Sequence, residues 1–247
     1  YLNEMTLFDA LAHSLTTIAT GGFSTHDNSF AYFKNISILN IAIVFMVLGS
    51  FPFLLLAQMS LTNISSLIKD HQIRLFLSIL TFAIALIYYF ARPYIEGSPF
   101  HQLSTISFNT ISIISGTGYV SSNFEHWGNY ASVLFLLLMF IGGCAVSTTG
   151  GLKVFRLQIL FKYIHLHLKR MLQPHMVLTV QFNGKKVPES TYESVMTFFF
   201  IYIITFSTSA LLLSFSGLDF LTCISAAASS ISNVGPGLGD EIGPNGN

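Results

Sequence analysis

Residues 36–57 and 195–215 contain no charged side chain, and that constrains the fold more than any single motif. A helix needs about 20 mostly apolar residues to cross the hydrocarbon core of a bilayer. A third apolar run, 75–91, is shorter, but it lies between Arg74 and Arg92, whose long stems reach back to an interface. A fourth, 130–145, is apolar until Gly142-Gly143 and continues as Val146-Ser147-Thr148-Thr149-Gly150-Gly151. The sequence therefore predicts four spans, one of them interrupted. Composition agrees: 9% of residues are charged, against about 25% in an ordinary soluble domain.

Charge in the connections sets the direction of the path. Lys69 and Arg74 lie between the first two spans. Lys162, Lys169, Arg170, Lys185 and Lys186 lie between the last two. By the bias of cationic loops these connections are cytoplasmic. The other segments hold Glu4, Asp9, Asp27, Glu96, Glu125, Asp219, Asp240 and Glu241, with only Lys34 and Arg92 as cations, and face outside.

Those outer segments share one pattern. Each opens with an apolar stretch of about a dozen residues, too short to span, and closes on small residues and glycine. Residues 8–20 run into Gly21-Gly22-Phe23-Ser24-Thr25, residues 100–115 into Gly116-Thr117-Gly118-Tyr119, and residues 220–232 into Asn233-Val234-Gly235-Pro236-Gly237. The copies recur at roughly 100 residues, an internal repeat. The unit reads as span, re-entrant half-helix, glycine turn, span. Irregular backbone at membrane depth is tolerated only where protein buries it or where it lines a watery cavity. Glycine permits angles that turn successive carbonyls one way, and rings of carbonyls replace the water shell of a cation.

These residues resemble the pore loops of the Trk/Ktr/HKT superfamily of potassium transporters. The stretch Gly142-Gly143-Cys144-Ala145-Val146-Ser147-Thr148-Thr149-Gly150-Gly151-Leu152-Lys153-Val154-Phe155-Arg156 is similar to the family's intramembrane loop. Gln173-Pro174-His175 and Asn183-Gly184-Lys185 are similar to the cytoplasmic connection of its TrkH branch. The resemblance implies an all-α integral membrane protein, with repeated span–re-entrant pore helix–span units around one central pore. It implies four repeats in the whole protein. Here residues 1–57 supply the pore loop and inner span of the second, 58–170 the third with its interrupted inner span, and 171–247 the cytoplasmic connection, outer span and pore loop of the fourth. Tyr1 and Asn247 both read as interior positions of a longer chain.

The same resemblance assigns a selectivity filter for K+ to Thr20, Gly21, Gly22, Phe23, Gly116, Thr117, Gly118, Tyr119, Asn233, Val234, Gly235 and Pro236. It assigns a gating loop to Gly142, Gly143, Ser147, Thr148, Thr149, Gly150 and Gly151. The expected function is potassium uptake across a bacterial inner membrane, by a homodimer surrounded by lipid and regulated by a cytoplasmic nucleotide-binding subunit of TrkA type. The alternatives are a sodium- or mixed-cation-conducting relative and a non-transporting receptor or structural membrane protein. No cofactor, nucleic-acid partner or enzyme activity is expected: the spans lack the ionisable groups that intramembrane chemistry needs.

Four glycines within residues 142–151 disfavour a continuous helix, at about 1 kcal/mol each, so the segment should unwind beneath the filter. Ser147, Thr148 and Thr149 offer hydroxyls to a passing ion. Lys153 and Arg156 are expected at the cytoplasmic interface, because a cation in the path would repel the permeant ion. His165 and His167 read as part of a basic helix end. His13, His26, His101 and His126 read as ordinary interfacial residues, Trp127 as part of an aromatic belt, and Cys144 and Cys223 as buried free thiols.

Overall fold

The described residues of the computed structural model are 5–59, 67, 69–173, 180–182, 185–239 and 241–244. Pro174, His175, Asn183, Gly184, Glu4 and Asp240 lie outside them. The chain runs α1 (Leu7–Ile18), α2 (Ile36–Gly49), α3 (Phe53–Met59), α4 (His71–Ala91), α5 (Pro99–Ile114), α6 (Asn129–Phe140), α7 (Val154–Leu172), α8 (Glu189–Ser214) and α9 (Phe220–Ser232). Between α7 and α8 the strands β1 (Gln181–Phe182) and β2 (Lys185–Lys186) form a minimal antiparallel hairpin.

The half-helices start where capping residues stand. Thr6 caps α1, Ser98 caps α5 with Pro99 in its first turn, and Asp219 caps α9, each accepting a hydrogen bond from a backbone N–H of the first turn. Such caps satisfy N–H groups that have no partner within the helix. All three end at glycine-bearing turns.

The expected span 36–57 is not one helix. It breaks at Ser50–Pro52 into α2 and α3. Pro52 has no N–H and pushes Phe51 out of helical geometry. The Phe53 N–H that follows donates outside its own helix, to Val146 O at 3.1 Å. The interruption after α6 comes at Ile141, one residue before the glycines.

Helix α5 is the centre of the molecule. It packs against α2, α4 and α6, and 11 of its 16 residues are buried. Helix α9 packs on α8 and α6, α1 on α2, and α7 on α8 and α4. The main core contains Phe30, Phe33, Phe76, Phe108, Tyr119, Phe124, Trp127 and Phe135. A second cluster, Ile159, Leu166, Val180, Val187 and Val195, joins α7, the hairpin and α8.

The stretches His71–Tyr94 and Glu189–Ser214 are long and apolar enough to cross a membrane. In α8 only Val195 and Tyr202 are buried, while Phe200, Leu211 and Leu212 are exposed. An apolar helix open on most of its surface suits a lipid environment and not water.

Candidate pore turns and intramembrane loop

The three glycine turns repeat one geometry. After each half-helix the first turn residue has positive φ: Thr20 at 50°, Gly116 at 64°, Asn233 at 56°. Two residues on, the sign recurs at Gly22 (69°), Gly118 (79°) and Gly235 (115°). The residue between them donates its N–H to a hydroxyl residue five positions back in the helix. Gly21 N reaches Thr16 O at 2.7 Å, Thr117 N reaches Ser112 O at 2.9 Å, and Val234 N reaches Ser229 O at 2.9 Å.

The turns therefore direct N–H groups back into their own helices. Among the described residues, no hydrogen bond ends on the carbonyls of Thr20, Gly21, Gly22, Gly116, Thr117, Gly118, Asn233, Val234 or Gly235. Thr20, Gly116, Thr117 and Val234 are buried, where carbonyls are usually paired, so their free acceptors are a feature of the site. No basic residue stands in the last turn of α1, α5 or α9. The partial negative charge at each helix C-terminus is left uncompensated there.

The turns also lie edge to edge. A Cβ at Gly22 would fall 1.7 Å from Thr117 O, and one at Gly118 would fall 2.0 Å from Val234 O. Glycine is required at both positions by this approach and by positive φ alike. A Cβ at Gly116 would come 3.3 Å from Asn233 O. The first turn rests on the second, and the second on the third.

The outermost turn residues behave differently. Phe23 O accepts from the Thr16 hydroxyl at 3.0 Å, and Tyr119 O accepts from the Ser112 hydroxyl at 2.7 Å. Their carbonyls are occupied. The Tyr119 ring is fully buried and its hydroxyl contacts Thr16 and Thr17, so it ties the second turn to the first half-helix. The Phe23 ring is 77% exposed. Thr16, Ser112 and Ser229 do not figure in the sequence expectation, yet each stands six residues before the second positive-φ glycine of its turn. That regular spacing was a readable signal.

His13 and His26 are not the ordinary interfacial residues expected. Asp9, His13 and Thr17 form the buried face of α1. The His13 ring lies edge-on to Phe30 and Phe33; its Nδ1–H donates to Asp9 O (2.8 Å), and Nε2 accepts from the Ser24 hydroxyl (2.9 Å). His26 stacks on Tyr32 and approaches Asp9, whose carboxylate also accepts from Thr6 and Thr25. Helical periodicity hides this face, because its contacts come from residues 24–33 across a turn. Cys144 and Cys223 are buried free thiols, as expected.

Residues 141–153 fold into a hydrogen-bonded loop. Gly142 N donates to Leu152 O and Leu152 N to Phe140 O, both at 2.9 Å. Cys144 N reaches Ser50 O and Ala145 N reaches Gln72 Oε1, again at 2.9 Å. Thr148 donates to Gly49 O (3.1 Å) and to Ile18 O (3.3 Å) at the end of α1. Gly150 presses on the end of α9, where a Cβ would lie 2.0 Å from Ser232 O; its N is 3.6 Å from a Cβ placed on Gly116. The loop thus touches the inner ends of all three pore turns.

Its glycines serve close packing as much as flexibility. A Cβ at Gly142 would meet Gly150 O at 2.0 Å, and one at Gly143 would meet Ser50 O at 2.8 Å. Val146 holds φ at 60°, an outlier for a β-branched residue.

Lys153 corrects the expectation of an interface anchor. Its ammonium turns into the loop and donates to Ser147 and Thr149. Arg156 instead lies over the Phe198 ring of α8, 4.0 Å from its centre. Sequence position alone could not separate the two cations, because both follow the glycines within a few residues.

Residues 1–245 match the TrkH family, described as cation transport protein. The chain is 37% identical to the Trk system potassium uptake protein TrkI of Halomonas elongata, covering 100% of this chain and 50% of the relative. It is 36% identical to the Trk system potassium uptake protein TrkH of Vibrio parahaemolyticus, covering 97% and 50%. The crystal structure of the potassium transporter TrkH from Vibrio parahaemolyticus superposes with a TM-score of 0.90 at 35% identity, over 97% of this chain and 52% of that one. The chain spans about half the length of the curated relatives it matches. The chain belongs to the TrkH family of cation transport proteins, an all-α membrane fold.

Proposed function

We propose that this chain supplies three of the four filter turns of a potassium-uptake pore, together with the loop that gates it. The supporting observation is the set of free carbonyls at residues 20–22, 116–118 and 233–235, on turns packed edge to edge. Carbonyls without internal partners, at the negative ends of three half-helices, can replace the hydration shell of a monovalent cation. The filter residues are then Thr20, Gly21, Gly22, Gly116, Thr117, Gly118, Asn233, Val234 and Gly235. Phe23, Tyr119 and Pro236 close its outer edge. A membrane potential of about 100 mV supplies roughly 2.3 kcal/mol per monovalent cation, enough for accumulation without a coupled ion.

The loop 141–153 is the gate in this reading. It meets the inner ends of the turns, and an ion leaving the filter inward encounters it first. In this reading the protein works in a bacterial inner membrane, as a homodimer with a cytoplasmic nucleotide-binding subunit of TrkA type; that the relatives are named for a Trk system supports it.

The test is rubidium uptake by the full-length protein in liposomes, with potassium and sodium as competitors. Gly118→Ser should lower potassium preference while the protein still folds. Retained flux with unchanged preference would remove the second turn from the filter.

A further inference from the structure

Lys153 is half-buried at the start of α7, and its ammonium faces oxygens of the loop. Nζ lies 3.2 Å from Ser147 O, 3.2 Å from Ser147 Oγ and 3.0 Å from Thr149 Oγ1, and it also donates to Thr149 O. Its N–H donors are shared among two carbonyls and two hydroxyls. Among the described residues no carboxylate stands within salt-bridge distance of Lys153. The charge is met by neutral oxygens alone. Such a set is how a protein holds a monovalent cation that has shed its water. Ammonium and K+ carry the same charge and are similar in size, so oxygens that satisfy one satisfy the other.

The oxygens are placed by the loop and not by Lys153. Thr149 Oγ1 accepts from Gly143 N at 2.9 Å and lies 2.9 Å from Ser147 Oγ. The Ser147 hydroxyl also reaches Cys144 O at 2.6 Å. The same loop rests on the C-terminal ends of α1 and α9, through Thr148 on Ile18 and Gly150 on Ser232. Those helix ends favour positive charge.

We propose that Ser147 and Thr149 form a monovalent-cation site inside the loop, that the Lys153 ammonium fills it while the loop is closed, and that K+ takes it when Lys153 withdraws. The inference rests on the gate reading and deepens it. Lys153 is a tethered competitor of the transported ion, so a rise in K+ at the loop favours the open arrangement.

The experiment uses full-length protein in liposomes, with wild type, Lys153→Met and a deletion of residues 146–149 measured side by side. Crystals of the first two are soaked in rubidium. Lys153→Met should raise rubidium uptake roughly ten- to a hundredfold, the effect of losing hydrogen bonds to a charged group, with potassium preference unchanged. Rubidium should appear between the Ser147 and Thr149 oxygens in Lys153→Met and not in wild type. Lys153→Gln, which keeps a neutral donor, replaces the Met variant if that one does not fold. Raised uptake without rubidium at these oxygens overturns the cation site. Unchanged uptake in Lys153→Met, with raised uptake in the deletion, overturns this inference and leaves the gate reading standing. If neither variant changes uptake, the gate reading falls, and this inference with it.

Discussion

The three glycine turns and the loop 141–153 are both glycine-rich breaks in helical structure, yet their hydrogen bonding differs. In the turns at 20–23, 116–119 and 233–236, N–H groups return to the parent helix and most carbonyls stay free. In the loop at 141–153, N–H groups reach Leu152, Ser50 and Gln72, and the carbonyls of Cys144, Val146, Ser147 and Thr149 all accept. The turns present acceptors to something outside the chain. The loop bonds mainly to its neighbours, although among the described residues no hydrogen bond ends on the carbonyls of Ala145, Thr148, Gly150 or Gly151. Glycine content therefore says where the helix stops, and hydrogen bonding says what the break does. On the proposed reading, a loop held by a few bonds to several neighbours can exchange partners, as a gate requires. A turn fixed by its parent helix cannot, which suits a filter.

The contrast can be broken most directly at Gly118. A Cβ there would collide with Val234 O, and positive φ adds strain of about 1 kcal/mol or more. Gly118→Ala, like Gly118→Ser, should lower potassium preference in rubidium uptake by the full-length protein in liposomes; unchanged preference would mean that the turns do not form the filter. The loop should respond in the other direction. Deleting residues 146–149 should raise uptake and leave potassium preference intact, and a loss of preference would show that loop and turns are one unit.

Gly150→Ala is the sharper probe, because its Cβ would strike Ser232 O in the packing observed, which the proposed reading takes as closed. It should destabilise the closed state by about 1–3 kcal/mol, the usual cost of overpacking, and raise uptake at unchanged thermal stability of the rest. Gln72→Leu removes the acceptor for Ala145 N. It should raise basal uptake roughly fivefold, as expected from a loss of about 1 kcal/mol; no change would show that the contact is replaced by water. Val146→Gly should act in the opposite sense. It relieves backbone strain in the closed loop, on the order of 1 kcal/mol, and should lower uptake by a few-fold. Higher uptake would show that the strain belongs to the open state.

Much of this architecture can be read without coordinates. The uncharged runs, the three short half-helices and their glycines are local properties; Gly22, Gly116, Gly118, Asn233 and Gly235 tolerate positive φ, whereas the β-branched Thr20 and Val146 do not announce it. The break at Pro52 is equally local, since Pro52 stands inside an otherwise apolar run. His13 was different. Its surroundings are Phe30, Phe33 and Tyr119, and nothing near position 13 announces them. Lys153 is different again: its ammonium turns into the loop and donates to Ser147 and Thr149, contacts that its place after the glycines does not announce.

The sequence alone determined the apolar character of the helices, the three half-helices and their glycine turns, because apolar length, capping residues and glycine act over a few neighbouring residues. Only the tertiary structure decided that the second turn sits between the other two, that the loop meets their inner ends, and that Lys153 turns inward. Those facts depend on contacts between residues far apart in the chain, such as Gly22 with Thr117 and Gly150 with Ser232. The close approach of two backbones is set by the packing of whole helices, which no local pattern encodes.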